Sequence, residues 1–158
     1  MTTLKIDDLD VVFPFPSAYP EQIEYMQQLK LSLDAGGPCV LEMPSGTGKT
    51  VSLMSLIIAY MSQRENVGPL VYCTRTIPEI DQGIQELRRV HNTRLEISNS
   101  EFDRNFLGIA LTRRSNLCIN ELNADIQDKN AVDTACRRLT LNYAIEKCSY
   151  YENEMLKP

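Results

Sequence analysis

The chain has 158 residues, with 16 Lys+Arg against 21 Asp+Glu, a net charge of −5 and 43% hydrophobic residues, a balance that suits one globular domain. Only 7 Gly, 8 Pro and a charged fraction of 23% exclude collagen-like repeats and wholesale disorder. The acidic balance excludes a uniformly basic polyanion binder but leaves room for local patches at Arg113 with Arg114 and Arg137 with Arg138.

The opening MTTLKIDDLD is too polar and acidic for a signal peptide. The most apolar stretch, Leu53 to Met61, is broken by Ser55 and falls short of a membrane span, so a soluble intracellular protein without membrane contact is expected. Five cysteines, an odd number without dense spacing, favour a reducing compartment.

Leu4 to Pro16 turns from polar to aromatic and proline-bearing (VVFPFP), and each proline biases its predecessor away from helix, so an extended segment is expected. Pro20 suits a first helical turn, Ile23, Met26, Leu29 and Leu33 recur at spacings of three and four, and Gly36-Gly37 supplies a stop, which predicts a helix over 20–35. Cys39 to Met43 is a strand candidate that runs into a glycine-bearing loop. A second helix follows, in which Leu53, Leu56, Ile57, Tyr60 and Met61 form one apolar stripe.

Leu70 to Thr74, after Gly68-Pro69, reads as a strand covered on both faces. Thr76 and Glu79 make a capping box for a third helix carrying Ile80, Ile84, Leu87 and Val90, with Pro78 in its first turn. Phe106 to Thr112 is a third strand candidate. This alternation predicts an α/β fold with a parallel sheet and flanking helices over 1–112. Residues 113–158 hold three of the five cysteines and read as a separate small module, helical in part over Val132, Cys136, Leu139 and Tyr143.

The segment Met43, Pro44, Ser45, Gly46, Thr47, Gly48, Lys49, Thr50 sits between a strand candidate and a helix, the setting of a phosphate-binding loop. Gly46 and Gly48 permit left-handed backbone that turns N–H groups towards phosphate oxygens, and the helix start adds its dipole. Lys49 is expected on the outer phosphates of ATP and Thr50 on Mg²⁺. Hydrolysis also needs a carboxylate at the end of another strand, whereas the later candidates end in Thr74-Arg75 and Thr112-Arg113. Nucleotide binding with poor or no ATP hydrolysis is therefore expected of this chain alone. A small P-loop kinase is one rival, although 42 residues precede Met43. A non-catalytic nucleotide-binding or interaction module is another.

Cys118, Cys136 and Cys148 follow no CxxC spacing, so the spacing alone leaves them as packed free thiols or as ligands. Cys39 and Cys73, inside strand candidates, are expected in the core. His91, the single histidine, is expected to cap a helix end or face solvent. Arg88 and Arg89 are placed on a wet helix face; Tyr143, Tyr150 and Tyr151 are expected in core or interface packing ahead of base stacking.

The segments YPEQIEYM (Tyr19 to Met26), LEMPSGTGKTVSL (Leu41 to Leu53), VYCTRTIPEI (Val71 to Ile80) and GIALTRRSNLCIN (Gly108 to Asn120) closely resemble, in this order, the N-terminal part of the XPD-type helicases, iron–sulfur DNA helicases of superfamily 2. The resemblance is close over 1–120 and looser over 121–158, and Met43, unusual for a generic phosphate loop, matches this family. It implies a partial RecA-like P-loop NTPase lobe over 1–112, followed by the start of an iron–sulfur domain over 113–158.

Carried onto single residues, it implies ATP with Mg²⁺ at Met43 to Thr50, an adenine contact at Gln22, and a DNA-backbone motif at Thr74, Arg75 and Thr76. It further implies three of the four ligands of a 4Fe–4S cluster at Cys118, Cys136 and Cys148, with Arg114 a basic residue beside it; Arg113 and Arg114 are the best local candidates for DNA contact. The role implied is 5′-to-3′ unwinding within TFIIH in the nucleus, serving nucleotide excision repair and transcription initiation, with single-stranded or forked DNA and other TFIIH subunits as partners. A fourth cluster ligand, an acidic ATPase motif and a second motor lobe would lie beyond Pro158, so this chain alone is expected neither to unwind DNA nor to hold a cluster firmly.

Overall fold

In the computed structural model, which describes residues 1–98, 100–123 and 125–152, the expected extended segment is a hairpin. Strand β1 (Thr2–Ile6) pairs antiparallel with β2 (Leu9–Phe13), Ile6 opposite Leu9. Two aspartates form the turn, and Asp7 takes φ 50, a left-handed conformation that a short polar side chain tolerates.

Helix α1 (Pro20–Ala35) ends where foreseen, because Gly36 at φ 68 turns its N–H onto the carbonyls of Ser32 and Leu33. Helix α2 (Lys49–Gln63) leaves the glycine-bearing loop, and α3 (Ile77–Ile97) opens on the expected Thr76–Glu79 capping box. A short α4 (Glu101–Asn105), absent from the sequence expectation, follows under its own Ser100–Asp103 box.

These elements belong to a compact unit spanning Met1–Ala110; a second unit begins at Leu111. In the first unit α2 is central. Ile6, Leu9 and Val11 meet Met26 and Leu29 of α1 and Leu56 and Ala59 of α2, while Phe13 packs with Val51, Met54, Ile58 and Val90. Of the expected stripe on α2 only Leu56 is fully buried. Packed against the hairpin, α1 and α3, the helix buries Val51, Met54, Ile58 and Ala59 on other faces as well.

The hairpin turn is tied down by charge. Lys30 is buried, and its Nζ lies 2.6 Å from Asp34 Oδ2 and 2.8 Å from Asp8 Oδ1. Arg64 pairs with Asp8, and Tyr60 Oη donates to Asp34 Oδ1 at 3.0 Å. Asp8 is held below its ordinary value by Arg64 and then Lys30, Asp34 by Lys30 and then Tyr60. Stability from such depressed carboxylates is present above the ordinary carboxylate range and is lost as pH falls through the folded values. Lys30→Met is therefore expected to lower the melting temperature and move acid unfolding, followed by circular dichroism, to higher pH.

The parallel sheet expected from the sequence is not formed among the described residues, whose strands are β1 and β2 alone. Residues 39–43, 70–74 and 106–112 are irregular, and Val40, Val71, Leu107, Ile109 and Leu111 are exposed. Parallel strands persist only when hydrogen-bonded to a neighbouring strand and covered on both faces, and among the described residues none of these segments pairs with another. For the same reason Cys39 and Cys73, expected in the core, are exposed.

His91 corrects a further expectation. It neither caps a helix end nor faces open solvent: its Nε2 lies 2.7 Å from the Asp103 carbonyl oxygen and its ring stacks on Phe106. Arg88 and Arg89 are exposed, as expected, with Arg89 paired to Glu86.

The second unit contains α5 (Arg114–Leu117), a 3-10 turn (Glu121–Asn123), α6 (Lys129–Leu139) and α7 (Ser149–Glu152). Asp128 caps α6 by accepting from the Asn130 amide at 2.9 Å. Val132 is buried, but Tyr143 lies past the helix and is 81% exposed; Tyr150 and Tyr151 are also exposed, so none of the three tyrosines packs in a core. The C-terminal NEMLKP lies outside the described residues. No helix of the described residues is long and apolar enough to cross a membrane.

Candidate nucleotide-binding site

The loop between residue 43 and α2 has the backbone its glycines allow. Gly46 and Gly48 both take left-handed conformations, φ 81 and φ 80. Gly48 is the residue before α2, so the loop closes onto unpaired N–H groups at a helix start, where anions are stabilised. Met43, in place of a first glycine, is buried at the loop's base.

Lys49 reaches back over the loop, its Nζ donating to the Met43 carbonyl at 2.7 Å, and Thr47 Oγ1 donates to the Pro44 carbonyl at 2.6 Å. Thr50 stands at the second position of α2, half-buried. Gln22 is nearly fully buried and touches the loop from outside, Nε2 donating to the Thr47 carbonyl at 2.9 Å.

A cleft of about 630 Å³ opens over the loop, lined on one side by Ser45, Lys49 and Thr50 and on the other by Thr74, Arg75 and Glu79. The 74–76 turn is wrapped by Glu79, whose Oε2 accepts the amides of Arg75 at 3.0 Å and Thr76 at 3.2 Å. These bonds, the Arg75 amide first, outweigh burial and hold the Glu79 carboxyl below its ordinary value. Thr74 Oγ1 donates to the Thr76 carbonyl at 3.2 Å. The Arg75 side chain projects into solvent, 92% exposed. The structure thus brings Lys49, Thr50, Thr74 and Arg75 to one cleft. Glu79, Gln82 and Glu86 also line it. The sequence expectation missed them as a wall, although their i, i+3, i+7 spacing places them on one face of α3.

In the second unit each thiol expected as a cluster ligand accepts a side-chain N–H. Asn123 Nδ2 lies 3.4 Å from Cys118 Sγ, Asn120 Nδ2 lies 3.4 Å from Cys148 Sγ, and Arg114 Nη1 lies 3.9 Å from Cys136 Sγ and 3.2 Å from Thr140 Oγ1. Burial pushes the Cys148 thiol up, but Asn120 and the amides of Tyr151 and Tyr150 outweigh it and hold the thiol below its ordinary value. A thiolate stabilised as at Cys148 suits soft-metal chemistry in kind. Their positions do not assemble a centre: among the described residues no group of three or more His, Cys, Asp and Glu side chains is placed to hold a metal ion. Arg113 is engaged by Asp133 at 3.4 Å and by Asn130 at 3.0 Å.

Comparison with known proteins gives a consistent set of relatives. The DEAD_2 family profile matches residues 72–158, more than half of the chain. The chain is 44% identical, over 97% of its length, to the general transcription and DNA repair factor IIH helicase subunit XPD of Schizosaccharomyces pombe. It is 47% identical over 94% of its length to the subunit of that name from Dictyostelium discoideum, and 40% identical over 94% to that from Arabidopsis thaliana. It spans 20–21% of these relatives, about a fifth of their length.

Proposed function

Since this chain belongs to the DEAD_2 family, we propose that it is the N-terminal part of an XPD-type, ATP-dependent DNA helicase, its first residues forming part of a RecA-like motor lobe. One observation carries the nucleotide assignment: the left-handed loop at Gly46 and Gly48 opens onto the start of α2, with Lys49 and Thr50 in the same cleft as Arg75. In this reading the loop amides and the Lys49 ammonium take the outer phosphates of ATP, and the Thr50 hydroxyl takes Mg²⁺. The bound ion would neutralise charge on the phosphate oxygens.

Thr74, Arg75 and Thr76 are the proposed contacts to a single-stranded DNA backbone, and Arg114 a second basic contact. The relatives named as subunits of factor IIH support binding to other subunits of that factor, and a nuclear role in repair and transcription. Cluster ligation by Cys118, Cys136 and Cys148 is proposed only for a longer chain that supplies further ligands, and no step is routed through it.

Titration with a fluorescent ATP analogue in Mg²⁺ tests the reading. Saturable binding is expected, with Lys49→Ala weakening it about 10–100-fold, the range for losing a charge-assisted contact. Absence of binding by the unaltered chain overturns the assignment. Phosphoryl transfer to a small acceptor would favour the kinase reading.

A further inference from the structure

Inside α3 the chain carries a buried glycine, Gly83, although glycine destabilises a helix interior relative to alanine. The place of the missing side chain is taken by an aromatic ring. A Cβ at Gly83 would stand 3.0 Å from Cε1 and 3.4 Å from Cδ1 of Tyr72, so the ring lies directly on the helix backbone. The contact runs through ring carbons, not the hydroxyl.

Tyr72 lines the cleft over the phosphate loop together with Cys73, Thr74 and Arg75, yet among the described residues 70–74 pair with no strand. Side chains hold this wall instead. Glu79 Oε2 accepts the amides of Arg75 and Thr76 at one end of the segment, and Tyr72 sits on Gly83 at the other. Glu79 and Gly83 are four residues apart, so both anchors stand on one face of α3. We infer that Tyr72 is a positioning residue for the 74–76 turn, with Gly83 the notch that seats it. This rests on the reading of Thr74, Arg75 and Thr76 as contacts to a DNA backbone. Such residues meet successive phosphates only while the turn keeps one geometry, and a turn freed of one anchor loses conformational entropy on binding that the anchored turn does not.

The test uses the 158-residue chain and a short fluorescein-labelled oligothymidylate. Gly83→Ala, which sets a methyl group against the ring, should weaken binding about 3-fold although alanine improves the helix, and Gly83→Val about 10-fold. Tyr72→Phe should bind within about twofold of the unaltered chain, because the ring alone fills the notch. Tyr72→Ala should match Gly83→Val, and the double variant should lose no more than either, since both changes remove one anchor.

Two further readings separate positioning from general destabilisation. In Gly83→Val the slope of log affinity against log salt should fall by about 1, as for one lost phosphate contact, whereas partial unfolding lowers apparent affinity and leaves the slope. In the ligand-free chain the Arg75 and Thr76 amides should lose hydrogen-exchange protection in Tyr72→Ala and keep it in Tyr72→Phe. Equal losses in the Phe and Ala variants overturn the proposal by assigning the role to the hydroxyl, as does unaltered binding and exchange in Gly83→Val. An unaltered chain that binds no oligonucleotide sinks the DNA-backbone reading instead, and exchange at Arg75 and Thr76 then still decides whether Tyr72 and Gly83 hold the turn.

Discussion

Gly48→Ala is expected to abolish measurable triphosphate binding, with a loss of about 100-fold or more, while Gly46→Ala weakens it only about 5–30-fold. Both glycines sit near φ 80, and a non-glycine residue held there costs about 1–2 kcal/mol, which is the smaller effect. At Gly46 nothing lies within 4 Å of an added Cβ, so backbone strain is the whole penalty. At Gly48 the methyl group meets Gln22 Nε2 at 2.6 Å and Val51 Cγ1 at 3.3 Å. Gln22 is buried and bonded at both ends of its amide, so it cannot swing aside without releasing Thr47 or Tyr19. The loop must move instead, and with it the amides that would face phosphate. Calorimetric titration of both variants checks this, and equal losses would show that the packing against Gln22 is immaterial.

That contrast also marks how far the sequence could be read. The glycines, Lys49 and Thr50 announced the loop, because a phosphate cradle needs those residue types in that order. The start of α3 was legible because a capping box is a local signal, complete within Thr76 to Glu79, and the end of α1 because Gly36 stops a helix by its own φ.

What escaped depends on partners distant in sequence. Residues 39–43, 70–74 and 106–112 carry strand-like side chains, but strand formation is decided by neighbouring strands, and among the described residues none pairs with them. The hairpin was missed for the opposite reason, since its turn is Asp7-Asp8 without a glycine to announce it. The commitment of Gln22 to Thr47, 25 residues away, and the contact of His91 with the Asp103 carbonyl leave no trace in spacing.

Asp103→Ala is the substitution expected to cost most stability, about 3–5 kcal/mol, because it strands a buried cation. Asp103 is fully buried, and its Oδ1 receives Arg94 Nε at 2.6 Å while Oδ2 receives Ser100 Oγ at 2.7 Å. Arg94 is itself 5% exposed, over the ring of Phe102, so without Asp103 its charge has neither water nor a counterion.

A paired replacement separates the worth of the ion pair from the harm of breaking it. Arg94→Met with Asp103→Leu should recover most of the loss in urea unfolding, since well-packed apolar groups often match a buried pair. The pH dependence follows from the same contacts. Burial alone would push the Asp103 carboxyl up, but Ser100 and Arg94 outweigh it and hold it below its ordinary 3.8. A depressed carboxylate contributes stability above that ordinary value and loses it as pH falls through the folded value. Unfolding free energy of the unaltered chain should therefore drop below about pH 4, and Asp103→Asn should flatten that part of the curve. Because Phe102 and Phe106 pack against the cluster of Phe13, Val51 and Val90, the loss is transmitted to α2, the helix that begins at the phosphate loop. Triphosphate affinity in the Ala variant should then fall only as far as the folded fraction falls; a larger fall would place α4 in the binding step itself.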